Sequence, residues 1–399
     1  MAGHLNGISR VGVVGLGTIG SQELALWQRS GHQTVGYDIS ESRVKALAAG
    51  SASQPDARLT ARVEDLGGCD ALILCLPNLT PAAENTMDAF DQFVADVQGL
   101  SDRERLIVVA STVPIGFTRD LAARFGRHGR LISHAPERFD PGRGTALGEI
   151  PRVVGATSAE ALNLTVELYK RAGVPTHAVE PVEVAEASKL LENSFRLVNI
   201  SFINEFAELC RRIGITAADV IDAAATKPFA FMPHQPGVGA GGTCIPTVPR
   251  YLLEAAEEIG LAMPILRDAI TTNEMIIQRV ADHLRDLLAG SGITRGHVLV
   301  VGATYKPNYP DARASAALAF ARGLAAHHQV VVYDPIVEAN NFPREIELVR
   351  EVPTARFDAV VIALKHRDTD MAALRKLSPI LLDLVRGAVE VTESISTRK

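Results

Sequence analysis

Cys244 follows a glycine-rich stretch in which four of the six residues 237–242 are glycine. Glycines let a backbone approach a ligand closely and let its N–H groups point at that ligand. A helix-like run over 249–260 begins soon afterwards, and the field at a helix N-terminus favours the thiolate, the nucleophilic form of cysteine. The sequence therefore predicts covalent catalysis by Cys244. The three other cysteines lie in or beside apolar runs and are interpreted as buried small hydrophobic residues.

Residues 15–20 form a glycine motif of the dinucleotide-binding type, Gly15-Leu16-Gly17-Thr18-Ile19-Gly20, between the apolar run 11–14 and a helical stretch. The first glycine of such a motif permits a tight turn, the second lets the backbone approach a pyrophosphate, and the third lets helix and strand pack closely. Asp38 ends the next apolar run, where an acid accepts hydrogen bonds from the adenosine ribose and repels a 2′-phosphate. The pattern predicts NAD rather than NADP as the cofactor.

The predicted cofactor contacts are the residues of this motif and the acid that follows it, namely Gly15, Gly17, Thr18, Ile19, Gly20 and Asp38. Arg43 is a further cofactor-binding candidate because its cation could bind a phosphate, although Asp38 occupies the diagnostic position. The competing interpretation of the motif is a glycine-rich structural turn.

Two more candidate segments directly follow predicted strands. Ser111-Thr112-Val113-Pro114 follows the apolar run 106–110, and Pro136-Glu137-Arg138 follows 131–133. Ligands of open parallel sheets bind at the carboxyl ends of strands, so Thr112 and Glu137 are expected where chemistry occurs. The competing interpretation is turn chemistry, in which the threonine starts a helix and the acid is an exposed loop residue.

Lys189 and Asn193 are four residues apart on a predicted long helix and therefore share a face. They belong to a polar stripe that also contains Glu186 and Arg196, beside an apolar stripe at positions 184, 187, 191, 195, 198, 202, 206 and 209. Taken alone, the polar stripe is typical of a solvated helix face. The helix is expected to start near Pro181 and to stop at Gly214.

The elements that must position these residues alternate along the chain. Apolar runs at 11–14, 35–38, 71–76, 106–110 and 131–133 are separated by helix-like segments, which indicates a parallel sheet covered on both faces. Residues 298–302, 330–335 and 357–364 repeat the plan weakly, and a second long helical pattern covers 264–289. The sequence predicts an α/β protein with two Rossmann-like doubly wound domains, joined by a long central helix and a helical middle domain. The expected domains are 1–180, 181–290 and 291–399.

Composition excludes several classes of function. The net charge of -6 argues against nucleic-acid binding, since nucleic-acid-binding proteins are normally basic. No stretch resembles a signal peptide or a membrane span, and scattered cysteines fit a reducing compartment, so a cytoplasmic protein without a membrane partner is expected. The 11 histidines form no metal-binding motif, and no metal site is predicted.

Together these segments resemble the UDP-glucose/GDP-mannose dehydrogenase family, in the right order over nearly the whole chain. The similar stretches are the cysteine motif 239–246, the helix motif 185–193, the segments 202–205, 111–113 and 136–137, and, near the C-terminus, 305–307 and 311–315. Segments 137–142, 189–193 and 244–252 are most similar to the branch that acts on UDP-N-acetylhexosamines.

The resemblance implies a two-step oxidation of a sugar C6 alcohol to a carboxylate by two NAD, yielding a nucleotide-linked uronic acid. A water held by Lys189 would help to remove the hydroxyl proton, and Cys244 would hold the aldehyde covalently. Lys189 and Asn193 would stabilise the oxyanion, Glu137 would activate water, and Thr112 would lie between nicotinamide and substrate. It further implies substrate contacts for Arg138, Gly241 and Lys306, a cofactor contact for Arg313, and a homodimer formed through the central helix.

The chain departs from the family at Val248, where an aspartate normally follows the cysteine by four residues. Valine can neither accept a hydrogen bond nor take a proton. Pro310 and Ala316 also depart from the C-terminal signature. A diverged enzyme that stops at the aldehyde, an enzyme for an unusual nucleotide sugar, and a non-catalytic NAD-binding protein therefore stay open. A β-hydroxyacid dehydrogenase, which needs neither the cysteine loop nor a second sheet, is a further alternative.

Overall fold

A computed structural model describes residues 8–50, 57–77, 88–98, 105–126, 131–140, 147–338 and 342–391. Its helices are α1 (Thr18–Arg29), α2 (Glu41–Gly50), α3 (Asp88–Gln98), α4 (Phe117–Phe125), α5 (Ala159–Arg171), α6 (Val182–Ile213), α7 (Ala217–Ala225), α8 (Cys244–Glu258), α9 (Pro264–Gly290), α10 (Ala316–Ala325) and α11 (Met371–Arg375). Short 3-10 helices cover Val63–Gly68 and Leu147–Glu149.

The strands of the first sheet are β1 (Arg10–Val14), β2 (Gln33–Tyr37), β3 (Ala57–Thr60), β4 (Ala71–Leu74), β5 (Leu106–Val109), β6 (Ile132–His134), β7 (Arg152–Ala156) and β8 (Thr176–Ala178). Those of the second are β9 (His297–Val301), β10 (Gln329–Tyr333), β11 (Glu347–Val349), β12 (Ala359–Ile362), β13 (Ile380–Asp383) and β14 (Ala388–Val391). The predicted doubly wound sheets are confirmed.

The first sheet has the order β3-β2-β1-β4-β5-β6-β7-β8 and is parallel except between β6 and β7. Its first six strands follow the doubly wound order, in which ligands bind where the order reverses, at the carboxyl ends of β1 and β4. Alternate residues of the buried strand β4 pack on opposite faces: Ile73 against α1 and α5, Leu72 and Leu74 against α3 and α4. Both faces are thus covered, as the continuous apolar runs predict.

The second sheet, β11-β10-β9-β12-β13-β14, is antiparallel only between β13 and β14 and repeats the first in detail. Gly15 and Gly302 each have a positive φ, and each donates its N–H at 2.8 Å to the last carbonyl of the neighbouring strand. Asp38 and Asp334 each accept the N–H that follows that glycine, at 2.8 and 2.7 Å. The weak repeat seen in the sequence is therefore a structural repeat of the strand–turn–acid unit.

Helix α6 has the predicted bounds but the opposite burial to the one its pattern suggests. The apolar residues Leu191 and Phe202 are each 63% exposed. The polar residues Glu186, Asn193 and Asn204 are between 0% and 6% exposed. The interpretation of the polar stripe as a solvated face is therefore wrong for Glu186 and Asn193, which are buried. Glu186, like Asn204 of the same helix, hydrogen-bonds to a loop that packs on α6.

The chain divides into two compact units, residues 1–192 with 254–259, and residues 193–253 with 260–399. The first contains the eight-stranded sheet and the second the six-stranded sheet. Among the described helices, none combines the length and apolar character needed to cross a bilayer.

Candidate active site

The turn after β1 has the geometry that its glycines predict. Gly15 adopts a φ of +86°, and a Cβ there would lie 2.6 Å from the carbonyl oxygen of Cys75. A Cβ on Gly20 would lie only 1.7 Å from the carbonyl oxygen of Gly15. A Cβ on Gly17, by contrast, would meet nothing within 4 Å. The first and last glycines are thus required by packing, whereas the middle one opens the backbone to a ligand.

The residues around this turn fit an NAD molecule. Thr18 and Ile19 begin α1, whose N-cap Gly17 makes no side-chain capping bond and whose first turn has no acid, so the positive end of the helix is left for a phosphate. Asp38 is half-buried and accepts backbone N–H groups of Leu16 and Ser40 at 2.8 and 2.9 Å. Those bonds fix a carboxylate where a ribose diol would bind.

Arg43 lies on the exposed helix α2, where its backbone N–H donates to the Ser40 hydroxyl at 3.3 Å. Its role in cofactor binding stays a prediction. In the second sheet the acid equivalent to Asp38 is Asp334, which is fully buried and also bonds to His366 at 3.0 Å. The two strand–turn–acid repeats therefore differ at the acid: Asp38 is partly accessible to a ligand, whereas Asp334 is buried.

Thr112 is 9% exposed in the loop that follows β5, and Glu186 of α6 holds the end of that loop. The Glu186 carboxylate accepts the backbone N–H groups of Gly116 and Thr118, at 2.6 and 2.7 Å, at the N-terminus of α4. Burial nevertheless raises the pKa of this carboxyl above its usual value. Glu186, one turn before Lys189, thereby ties the Thr112 loop to the helix that carries the lysine.

Glu137 follows β6 and is a largely enclosed acid whose pKa is strongly shifted. Its backbone N–H donates to the carbonyl oxygen of Ala110 at 3.0 Å, which adds one hydrogen bond to the sheet. The side chain is half-buried, and its enclosed Oε1 has no hydrogen-bond partner among the described residues. Burial raises its pKa to about 7, while the cations of Lys189 and Arg152 oppose that rise. A carboxyl with this pKa can exchange a proton at neutral pH.

Lys189 and Asn193 lie one turn apart on α6, as predicted. Asn193 is 6% exposed, and its Nδ2 has no partner among the described residues. Arg138 forms an ion pair with Glu192 at 2.6 Å and donates to the carbonyl of Pro151 at 2.9 Å. Arg138 is thus engaged by its own unit, and its contact with substrate stays a prediction.

The glycine loop before Cys244 is held by two asparagines. The N–H of Gly237 donates to Asn204 Oδ1 of α6 at 2.9 Å, and the N–H of Ala240 donates to Asn273 Oδ1 of α9 at 2.6 Å. Gly239, with a φ of +99°, passes so close to α9 that a Cβ would lie 3.1 Å from Asn273 Oδ1. The loop therefore follows a fixed path between two helices of the second unit.

Cys244 is exposed and is the first residue of α8. The helix begins five residues earlier than the sequence pattern 249–260 predicts. Pro246 fits its first turn, where N–H groups have no helical partner, and the helix continues through Pro249. The thiol therefore lies at the helix N-terminus itself. Val248, one turn later, is 0% exposed and packs in the interior.

The C-terminal loop 303–315 packs on the cysteine loop within the same unit. The N–H of Gly242 donates to the carbonyl of Ala314 at 2.9 Å, and a Cβ on Gly241 would lie 3.0 Å from the N of Ala316. The close approach that Gly241 permits is therefore to the chain's own backbone. Its contact with substrate is not tested by this geometry.

Lys306 and Arg313 lie in that same loop. The Thr304 hydroxyl donates to the carbonyl of Lys306 at 2.9 Å, which fixes the backbone at the lysine. The Arg313 guanidinium pairs with Asp311, a hydrogen bond that raises the pKa of the arginine. The predicted contacts of Lys306 with sugar and of Arg313 with cofactor stay predictions.

The candidate residues are thus divided between the two units. The dinucleotide turn, Thr112, Glu137, Arg138 and Lys189 belong to the first, whereas Asn193, Gly241, Cys244, Lys306 and Arg313 belong to the second. Sequence reasoning missed Asn204, Asn273 and the burial of Glu186. Asn204 lay in a stretch already noted as similar to the family, but Asn273 had no local signal.

Comparison with known proteins assigns all three parts of the chain to one family. Residues 9–173 match the NAD binding domain of the UDP-glucose/GDP-mannose dehydrogenase family, residues 183–275 its central domain, and residues 299–386 its UDP binding domain. The middle match covers most of α6 and the cysteine loop, and the last covers the second sheet from within β9 to β13.

Curated relatives and solved structures agree with this assignment. The chain is 33% identical to a UDP-N-acetyl-D-mannosamine dehydrogenase of Pyrococcus horikoshii over 90% of this chain and 89% of the relative. It is 30% identical to a UDP-N-acetyl-D-glucosamine 6-dehydrogenase of Pseudomonas aeruginosa over 94% and 96%. The structure of a UDP-D-ManNAc dehydrogenase from P. horikoshii superposes with a TM-score of 0.84 at 29% identity, covering 98% of both chains. The chain therefore belongs to the UDP-glucose/GDP-mannose dehydrogenase family, with NAD as its cofactor.

Proposed function

We propose that this protein oxidises the C6 alcohol of a UDP-N-acetylhexosamine to the carboxylate in two NAD-dependent steps. The observation that carries the proposal is the placement of Cys244, an exposed thiol at the N-terminus of α8 behind a rigidly held glycine loop. The names of the relatives support the sugar class, since two of them act on UDP-linked N-acetylmannosamine or N-acetylglucosamine.

Bound NAD supplies the hydride acceptor in both steps. In the first step, Lys189 holds a water that takes the proton of the C6 hydroxyl while the C6 hydride leaves, which gives the aldehyde. The Cys244 thiolate then adds to the aldehyde carbon, and the new alkoxide takes a proton to form a thiohemiacetal. Lys189 and Asn193 stabilise the oxyanion as donors, each worth a few kcal/mol in such a site.

In the second step the thiohemiacetal loses its O–H proton and its C6 hydride, which leaves a thioester on Cys244. Glu137 takes a proton from the attacking water, the C–S bond breaks, and the thiolate is regenerated with the carboxylate product. A pKa of about 7 suits this task, because Glu137 can then accept a proton at neutral pH and release it again. Thr112 would contact both the nicotinamide and the substrate in this scheme.

The remaining predicted contacts complete the proposed complex. The nucleotide sugar is bound by Arg138, Gly241 and Lys306, and NAD is bound by Arg43 and Arg313. The proposed domains are an NAD-binding domain (1–180), a central helical domain (181–290) and a nucleotide-sugar-binding domain (291–399). A cytoplasmic location is part of the same proposal, because the free, scattered cysteines fit a reducing compartment.

We infer further that the protein is a homodimer formed through α6. Leu191, Phe195, Phe202 and Leu209 are each between 47% and 63% exposed along one stripe of the helix. Beside this stripe, a cavity of about 520 Å³ between α6 and α9 is lined in part by Phe202, Ile265 and Met275. Exposed apolar surface of this extent on one helix is typical of an association surface.

Val248 keeps a second outcome open, in which the reaction stops at the aldehyde. The side chain is a hydrocarbon and is 0% exposed, so it offers the hydrolytic water neither a hydrogen-bond acceptor nor a proton acceptor. Glu137 must then activate that water without help from this position of α8. One NADH per sugar consumed would favour this outcome over complete oxidation.

A substrate panel tests the proposed sugar class. The purified protein would be incubated with NAD and, separately, with UDP-N-acetylglucosamine, UDP-N-acetylmannosamine, UDP-glucose or GDP-mannose, while NADH is followed by absorbance. We expect NADH formation to be fastest with one of the N-acetylated sugars. Preference for UDP-glucose or GDP-mannose would overturn the sugar class, and stoichiometric NAD binding without turnover on any sugar would favour a non-catalytic NAD-binding protein.

A further inference from the structure

A buried ion pair lies beside the segment that leads to Glu137 in the first unit. Arg152 begins β7 and is 1% exposed, and Glu23 of α1 is 0% exposed. An Arg152 Nη2 hydrogen bonds directly to Glu23 Oε1 although the two residues are 129 positions apart. A fully buried pair of charges pays a large desolvation cost and is weak evidence of a contribution to stability, so another role for it has to be considered.

The pair connects the dinucleotide-binding helix to the segment that carries Glu137. Glu23 follows the glycine motif on α1. Arg152 also donates to the carbonyl of Ala135 at 3.2 Å, two residues before Glu137. The same guanidinium lies 5.3 Å from the centre of the Tyr169 ring. The arginine thus has fixed partners on three elements around the base of this segment.

Polar groups around the pair are incompletely satisfied. Glu23 Oε2, the Tyr169 hydroxyl and Glu137 Oε1 are buried and have no hydrogen-bond partner among the described residues. In such surroundings charges are poorly screened, so the proton affinity of one carboxyl depends strongly on its neighbours. The charges of Arg152 and Glu23 therefore act on Glu137 through an interior that screens them poorly.

The charged and titratable groups that face Glu137 come from every element packed around it. Lys189 on α6 and Arg152 on β7 lower the pKa of its carboxyl, whereas Glu23 on α1 and Asp140 in the following loop raise it. Uncharged titratable groups complete the cluster, namely His134 of β6, Tyr169 of α5 and Cys75 after β4. The two members of the ion pair therefore act on Glu137 with opposite signs.

We propose that Glu23 and Arg152 are positioning residues that set the proton affinity of Glu137 and fix its segment relative to the dinucleotide-binding helix. The inference rests on the role of Glu137 in the proposed function. Neither residue touches the reacting atoms: Arg152 acts through its charge and through the Ala135 carbonyl, and Glu23 acts by balancing Arg152. The pair thus links the helix that binds NAD to the residue that activates water.

The test is an infrared titration of the Glu137 carboxyl in the whole protein. At each pH, the C=O stretch of the protonated carboxyl is isolated by subtracting the spectrum of the same protein carrying Glu137→Gln. Arg152→Met removes a cation, so we expect the midpoint to rise by about one unit. Glu23→Gln removes an anion, so we expect it to fall by about one unit. Arg58→Met, which removes an arginine from an exposed ion pair with Asp65, is the control and should leave the midpoint unchanged.

A rise of the midpoint in Arg152→Met together with a fall in Glu23→Gln indicates an electrostatic role. If the two residues were merely structural, both midpoints would move in the same direction or neither would move. Shifts of one sign, or none, would overturn the proposal. If Arg152→Met fails to fold, the midpoint of the double variant Glu23→Gln/Arg152→Met is compared with that of Glu23→Gln. The proposal requires a higher midpoint in the double variant, because it lacks the cation of Arg152. The titration needs no turnover, so its result is independent of whether any nucleotide sugar is oxidised.

Discussion

The side-chain oxygen of Asn273 accepts the backbone N–H of Ala240 at 2.6 Å, four residues before Cys244. Asn273 is 8% exposed on α9, so this bond is shielded from water. Gly239 passes so close to the helix that no side chain fits between them. The path of the cysteine loop is therefore determined by a helix that contributes no reacting group.

Replacing Asn273 with alanine should displace that loop. The Ala240 N–H would lose its acceptor in a shielded position, which costs about 1–3 kcal/mol of unfolding free energy. We expect kcat to fall at least tenfold while the Kd for NAD stays within about twofold, since the dinucleotide turn lies in the other unit. Thr271→Ala, an exposed change on the same helix, is the matched control and should change neither quantity. An unchanged kcat in Asn273→Ala would contradict the positioning role.

Asp38 should control the choice between NAD and NADP. Its carboxylate is fixed by the N–H groups of Leu16 and Ser40, and a charge-assisted bond to a ribose hydroxyl is worth about 1.5–3 kcal/mol. Asp38→Ala should therefore lower kcat/KM for NAD by roughly tenfold to a hundredfold and narrow its preference over NADP. Glu41→Gln, which removes an exposed charge nearby, is the control. Retention of the full NAD preference in Asp38→Ala would contradict this assignment.

Local patterns predicted the elements and the chemistry that depends on them. Apolar runs placed the main strands, and the spacing of glycines with Asp38 predicted the dinucleotide turn, because these features depend on neighbouring residues alone. Helix α6 was predicted within a few residues at each end. Its burial was not, because hydropathy indicates which stripe is apolar but not whether the chain itself covers that stripe.

The contacts that position the site are long-range and carry no local signal. Glu23 and Arg152 meet across 129 positions, and Glu186 reaches N–H groups about 70 positions away. Such pairings follow from the order of strands in the sheet, which brings distant segments together at one edge. The N-terminus of α8 was predicted too late in the sequence, because Pro246 is compatible with a first turn and Pro249 lies inside the helix, where a proline normally argues against one.

His134 should make the protein less stable in mild acid. Burial lowers the pKa of its imidazole to about 3, against a usual value of 6.5 in an unfolded chain. Between these pH values the unfolded chain binds more protons than the folded one. The contribution of His134 to the free energy of unfolding is therefore fully present above about pH 6.5 and decreases as the pH falls. His134→Asn should reduce the slope of unfolding free energy against pH, between pH 4.5 and 6.5, by up to about 1.4 kcal/mol per unit. Identical slopes in denaturant titrations would contradict this.

The exposed stripe of α6 should determine the oligomeric state. Phe202→Glu places a charge at the centre of the stripe, where burying it against a second chain would be unfavourable. Light scattering after size-exclusion chromatography should then show a monomer where the unaltered protein gives a dimer. Gln278→Glu adds the same charge on an exposed part of α9 away from the stripe and should leave the dimer intact. A dimer that survives Phe202→Glu would place the interface elsewhere.

The central claim, that Cys244 carries the sugar through full oxidation, is tested most directly by counting NADH per sugar. A limiting amount of the preferred UDP-N-acetylhexosamine would be consumed with excess NAD, and the uronic acid would be measured by mass spectrometry. We predict two NADH and one uronic acid per sugar, with no uronic acid formed by Cys244→Ala. Formation of uronic acid by Cys244→Ala at the rate of the unaltered protein, or the absence of NADH with every nucleotide sugar, would contradict the account.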